Sequence, residues 1–115
     1  MAYIKNSSYQ SLLKIEDGKI KDYSSGQTKY VVYTNRLTDF YGRILCTFDG
    51  DRIKDFSGRA LLTVSTDTVR TFSGQTIAKF DTNSIKNFYG QLQYRIDGFL
   101  CRSELLALIA ILYAI

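Results

Sequence analysis

At 115 residues the chain has the length of one domain, enough to bury a core without disulfide or metal staples. It has no His, Pro or Trp but nine Tyr and seven Phe, a mix that favours strands and removes the commonest near-neutral acid/base and metal ligand. Two Cys exclude a disulfide framework or a zinc site and fit a reducing compartment, while a net charge of +4 is too mild to define a partner.

The opening stretch MAYIKNSSYQ lacks the apolar run of a signal peptide, so a cytoplasmic protein is expected, with peripheral attachment to a membrane as the variant of that expectation. The next feature governs everything that follows. Gly26, Gly42, Gly58, Gly74 and Gly90 recur every 16 residues, and Tyr9 holds the equivalent place one unit earlier. The first gap is 17 residues because YSSG carries one extra residue. A fixed period of this kind outranks local propensity as a guide to the fold.

The first unit opens with Ile4, passes its turn at Tyr9, and continues with Leu13 and Ile15. In the second unit the matching residues are Ile20, Tyr30 and Val32; in the third, Leu37, Cys46 and Phe48. The fourth has Ile53, Leu62 and Val64, the fifth Val69, Ala78 and Phe80, the sixth Ile85, Tyr94 and Ile96. Alternation of apolar and polar residues around these positions predicts two short strands per unit with one face towards a core.

Each unit is joined to the next by a polar segment: EDGK, YTNR, DGDR, STDT or DTNS. The middle pairs, Asp17-Gly18, Thr34-Asn35, Gly50-Asp51, Thr66-Asp67 and Thr82-Asn83, suit two-residue hairpin loops with positive φ. That register sets Glu16 opposite Lys19 and Asp49 opposite Arg52. Within each unit, phrases such as Asp55-Phe56-Ser57-Gly58 have the residue preferences of a type I turn. An even-numbered loop is expected there, because an odd one would turn Lys29 and Gln93 inwards.

Six units over residues 3–98 therefore predict a mainly β fold of about twelve short antiparallel strands, closing into a barrel or a curved sheet. Sharp turns at both ends of each unit argue against a solenoid. After the repeats comes ELLALIAILYAI, predicted as a helix over residues 103–114 with Ser103 as its N-cap. Eleven apolar residues from Leu105 to Ile115 fall short of the roughly 20 that cross a bilayer. Being apolar all round, the helix is expected to be buried. Twelve helical residues rise about 18 Å, close to the length of a five- or six-residue strand. The lengths fit a barrel threaded by its own C-terminal helix; the rival is an open sheet with the helix lying across it.

The unit IKDFSGRALLTV with its polar turn resembles the bacterial four-fold beta flower domain across the repeat region, with six units in place of four and an added apolar helix. The resemblance implies a bacterial β-hairpin repeat and brings no catalytic residues. By architecture alone, the predicted barrel around a helix also resembles the tubby and scramblase barrels, whose lipid binding enters only as an analogy.

Three columns of side chains carry the candidate chemistry. Asn6, Asp22, Asp39, Asp55, Thr71 and Asn87 share one slot, and a ring of them would offer oxygen ligands to a cation. The mixture of Asn, Thr and Asp points instead to turn capping, so no metal is expected. Tyr23, Phe40, Phe56, Phe72 and Phe88 would either line a rim as a membrane-dipping surface or pack over neighbouring hairpins; packing is the expectation. Lys5, Lys21, Lys54, Arg70 and Lys86, with Arg43 and Arg59 beside the glycines, form basic columns on the same outer face as the rings. Basic and aromatic residues interleaved in this way can follow lipid or nucleic-acid phosphates, but a solvated face whose aliphatic stems cover the rings is the expectation. Nucleic acid is not the expected partner.

Cys46 falls on the core-facing pattern and Cys101 near the helix start, and without His neither has a base. No phosphate loop, metal spacing or nucleophile elbow appears. The sequence thus leads to a non-enzymatic domain, without cofactor, that binds an unknown protein partner or itself, and alternatively binds anionic lipid headgroups. Lys21, Lys54, Arg59, Arg70, Lys86, Phe56 and Phe72 are its candidate surface residues.

Overall fold

A computed structural model describes residues 1–114. The strands are β1 (Ala2–Asn6), β2 (Ser11–Glu16), β3 (Lys19–Asp22), β4 (Thr28–Val32), β5 (Arg36–Asp39) and β6 (Ile44–Asp49). They continue as β7 (Arg52–Asp55), β8 (Ala60–Val64), β9 (Thr68–Thr71), β10 (Thr76–Phe80), β11 (Ser84–Asn87) and β12 (Leu92–Gly98), followed by α1 (Arg102–Tyr113). Every strand pairs antiparallel with its sequence neighbours, and β12 returns to β1, so the sheet is a closed barrel with no free edge. The molecule is a squat cylinder of 35 × 35 × 19 Å.

Closure runs over five pairs, from Ala2 opposite Gly98 to Asn6 opposite Tyr94. Gly98 has φ +121°, and a Cβ there would lie 2.3 Å from the Met1 carbonyl oxygen. Only glycine lets the two ends of the sheet approach so closely.

The turns inside the units correct the sequence expectation. Five of the six are three-residue loops, not even-numbered ones. In the fourth, the Asp55 N–H donates to the Arg59 carbonyl at 2.8 Å and the Gly58 N–H to the Asp55 carbonyl at 3.0 Å. An odd loop ought to reverse the faces, yet Ile53, Leu62 and Val64 all point inwards. A bulge restores the parity: Lys54 faces Ala60 and Ile53 faces Leu62, leaving Leu61 with no opposite residue. The same shift recurs in every unit, at Leu12, Lys29, Leu45, Ile77 and Gln93. In the five units with three-residue loops, loop and bulge together add four residues, which is why the alternation read from the sequence still holds; in the second, a four-residue loop and its bulge add five and so absorb the extra residue of YSSG.

The last residue of the loop is held at positive φ, +94° at Gly58. Tyr9 fills that slot in the first unit and also takes positive φ, +66°, with the Arg95 guanidinium 4.1 Å over its ring. The slot therefore demands a left-handed backbone whatever residue occupies it.

At the other end the loops are two-residue turns, with Glu16 opposite Lys19 and Asp49 opposite Arg52 as the register requires. Positive φ occurs at Asp17, Gly18 and Gly50, but not at Thr34-Asn35, Thr66-Asp67 or Thr82-Asn83. β-Branched Thr at the first position resists it. The facing charges also choose other partners: Glu16 pairs with Lys14 at 3.2 Å, and Asp49 with Lys54 at 3.0 Å. Each turn is tied to the following unit by its second carbonyl, as where the Val64 N–H donates to the Asp51 oxygen at 2.7 Å.

The inward residues form one core with the helix. Ile4, Ile15, Ile20, Leu37, Cys46, Ile53, Val64, Val69, Ala78 and Ile85 are fully buried, and so are Ala107, Leu108, Ile109 and Ala110. Leu106 through Ala110 span more than a full helical turn and none is more than 3% exposed, so the middle of α1 is enclosed on every side. Twelve helical residues rise about 18 Å, matching the 19 Å thickness of the barrel.

The helix starts one residue before the predicted Ser103 and is capped by Cys101. Glu104, three residues on, accepts from the Cys101 N–H at 3.1 Å and from the Gly18 N–H at 3.3 Å. That carboxylate fixes both the start of the helix and its place at the two-residue-turn end. Arg102 strengthens the tie by donating to the Val64 carbonyl at 2.8 Å and to Asp51 at 3.1 Å. Burial pushes the Cys46 thiol up to about 11, whereas Cys101 is exposed. In a thiol-reagent titration at about pH 8, Cys101 is expected to react at once and Cys46 only after denaturation. Two fast thiols would show that the barrel opens.

Candidate functional site: an aromatic, basic end of the barrel

The candidate surface residues all come from the three-residue-turn end and the strand positions next to it. Its architecture depends on the capping column. Asp55 Oδ1 accepts from the Ser57 N–H at 3.0 Å, the Ser57 hydroxyl at 2.7 Å and the Arg59 N–H at 2.9 Å. Asn6, Asp39 and Asn87 make the same pair of backbone bonds, two and four residues ahead. Thr71 makes the second of them to the Gln75 N–H, and Asp22 caps its longer loop through Ser24 and Ser25. These oxygens are engaged in their own turns, and among the described residues no group of three acidic, Cys or His side chains is placed to hold a metal ion.

The serine bonds hold the Asp22 and Asp55 carboxyls below the usual carboxylate range. A group with a depressed folded pKa contributes stability above its unfolded value, about 3.9, and loses it as the pH falls through the folded one. Asp55→Asn, the residue nature places in this slot at Asn6 and Asn87, keeps the acceptor. Its melting temperature is expected to lie slightly below that of the unsubstituted protein at pH 7 and to converge with it between about pH 4 and pH 2. Identical acid profiles would sink this account of the turn.

The aromatic column overturns the expectation of packing. Phe56 and Phe72 are each 78% exposed, Tyr41 90% and Tyr89 85%, and Tyr9, Tyr23, Phe40 and Phe88 are also open to solvent. The reason lies in the loop: apart from Tyr9, which ends its loop, the ring positions sit at the first or second residue of a turn, beyond the last strand pair, where no neighbouring strand remains to cover them. Several of them meet another ring, while Tyr9 lies under the Arg95 guanidinium. Phe40 and Tyr41 meet edge to face at 5.4 Å, Phe88 and Tyr89 at 5.5 Å, and Tyr23 reaches Tyr3 at 6.0 Å. The third and sixth units, which carry the doubled rings, lie half a circuit apart in the closed strand order. Between the second and third turns, Gln27, Thr28, Phe40 and Tyr41 line an open cleft of about 440 Å³.

Charge is distributed unevenly between the two ends. The aromatic end and the wall beside it carry Lys5, Lys21, Lys29, Arg43, Lys54, Arg59, Arg70 and Lys86 against Asp22, Asp39 and Asp55, with Lys5 and Lys54 reaching along the wall to pair with Asp97 at 3.2 Å and Asp49 at 3.0 Å. At the opposite end the signs nearly balance. Arg59, Arg70 and Lys86 are exposed, while Lys21 and Lys54 lie half-buried along the wall, Lys54 paired with Asp49. Lys86 stands directly opposite Lys79 and Lys21 opposite Lys14, arrangements of like charge that cost stability in a sheet. Sequence reasoning found these columns but missed Tyr41, Tyr89, Tyr9 and Lys29. A second aromatic after Phe40 and Phe88 was the available signal.

The fold defines the chain as a twelve-stranded up-and-down β-barrel of six hairpin repeats around one helix. No family model matches it, and comparison with curated proteins and with solved structures returns no match.

Proposed function

We propose that this protein is a non-enzymatic binding domain that docks its aromatic end on an anionic membrane surface. The observation that carries this reading is the coincidence of exposed aromatic rings and basic excess at one end of a disc-shaped barrel. Monomeric soluble proteins rarely leave so many apolar rings open without a use. Rings at a lipid interface bury their faces among acyl chains, and Lys and Arg nearby gain from the negative leaflet.

The same charge argues against the main rival, an end-to-end dimer through this face, because two basic ends would repel. No helix among the described residues is long and apolar enough to cross a membrane, and the reading is one of peripheral attachment through this face. The anionic surface at the cytoplasmic side of a membrane fits the charge.

Co-sedimentation with vesicles tests the reading. Binding to phosphatidylserine-containing vesicles is expected, with little to pure phosphatidylcholine and a decline as salt rises. Equal partitioning onto both vesicle types, or none onto the anionic ones at low salt, would overturn it.

A further inference from the structure

The opposite mouth of the barrel contains a cavity that the docking face does not use. It measures about 410 Å³, within the range of small-molecule sites. Its origin is the position of the helix, whose backbone comes nearest to β4 and β6 and so leaves space on the side of β10 and β12. Phe80 and Ile96 form the apolar floor, Leu105 the helix side, and Phe99 and Leu100 cross beside it on their way into the helix. Phe80 and Ile96 are 8% and 6% exposed, where most of the inward-facing strand residues are fully covered.

The charges at the lip are not balanced. Arg102 already donates to the Val64 carbonyl and to Asp51, and Glu104 is turned away to the Gly18 and Cys101 N–H groups. Asp67 and Asp81 remain. Asp81 Oδ1 accepts from the Asn83 and Ser84 N–H groups and the Ser84 hydroxyl, which fixes its carboxylate at the edge. Among the described residues the Asp67 carboxylate has no hydrogen bond or ion pair, and both lie at the edge of an apolar, aromatic-walled space.

We propose that this mouth is a binding site for a small apolar cation, an aryl- or alkylammonium. Its apolar body lies over Phe80 and Ile96, its charge faces Asp67 and Asp81, and the Phe80 and Phe99 rings add cation–π attraction. The site is independent of the membrane-docking face and stands or falls without it.

Titration of the full chain with benzyltrimethylammonium, benzyl alcohol and benzenesulfonate, followed by amide resonances, tests the site. The cation is expected to bind most tightly and the sulfonate least, with shifts at Asp67, Phe80, Ile96 and Leu105. Asp67→Asn is expected to weaken the cation about two- to fivefold and leave the alcohol unchanged, the effect of removing one exposed charge. Thr66→Trp, at an exposed position on the lip, is expected to block all three probes without lowering the melting temperature. Equal affinity for the three probes, shifts confined to other surfaces, or undiminished binding to the Trp variant would overturn the proposal.

Discussion

A chain truncated after Leu100 is expected to lose cooperative unfolding altogether, with barrel and helix failing as one unit. The inward face of the twelve strands is a ring of Ile, Val, Leu, Phe and Cys with nothing but α1 to pack against. Burying one such side chain stabilises by about 1.5–3 kcal/mol, and a domain's whole margin is about 5–15 kcal/mol. Without the helix the lumen must either fill with water against apolar walls or collapse, and a closed ladder of this width resists collapse without breaking its hydrogen bonds. Point variants give the graded form of the test. Leu108→Ala and Ile109→Ala, both at fully buried positions, are each expected to cost about 2–5 kcal/mol in chemical denaturation. Ala107→Leu is expected to destabilise by about 1–3 kcal/mol for the opposite reason, since a fully buried alanine has no room to grow. A truncated chain that melts sharply near the temperature of the whole protein would show that the strands alone suffice.

What the sequence disclosed depends on which residues obey a period. Ile53, Leu62 and Val64 sit on strands, where alternation is enforced by the pleat, so their burial was legible. Leu61 shows the limit: an odd loop followed by a one-residue bulge produces the same apolar pattern as an even loop without one. Pattern alone cannot separate the two. Phe56 and Phe72 lie past the last strand pair, inside the sixteen-residue repeat but outside the strand alternation, and their exposure follows from the three-residue turn that the parity argument had set aside. The start of α1 was displaced for a similar local reason. Ser103 is a good cap by type, but Glu104 makes its bond back to Cys101, which a scan for Ser, Thr, Asp or Asn passes over. Asp67 and Asp81 gave no signal, because their common cavity arises from where the helix stands inside the barrel.

The rim offers the second large effect. Phe56→Ala, Phe72→Ala and Phe88→Ala combined are expected to reduce partitioning onto anionic vesicles roughly a hundredfold. Each ring, partly inserted, is worth about 1 kcal/mol, below the value for full burial, and three together give about 3 kcal/mol. The fold is expected to be untouched, because the rings are 57–78% exposed and cover little of the core. Arg59→Gln with Arg70→Gln addresses the electrostatic half. Each charge near an anionic surface contributes about 1 kcal/mol, so the pair is expected to weaken binding about thirtyfold at low salt and much less at high salt. The two sets differ in a way that stability cannot mimic: the Phe variants lose binding at every salt concentration, the Arg variants mainly at low salt. Both sets folded and both sedimenting like the unsubstituted chain would remove the aromatic end from the binding face. A loss with the Arg variants alone would leave an electrostatic surface whose rings never enter the membrane, and the docking geometry proposed for them would be wrong.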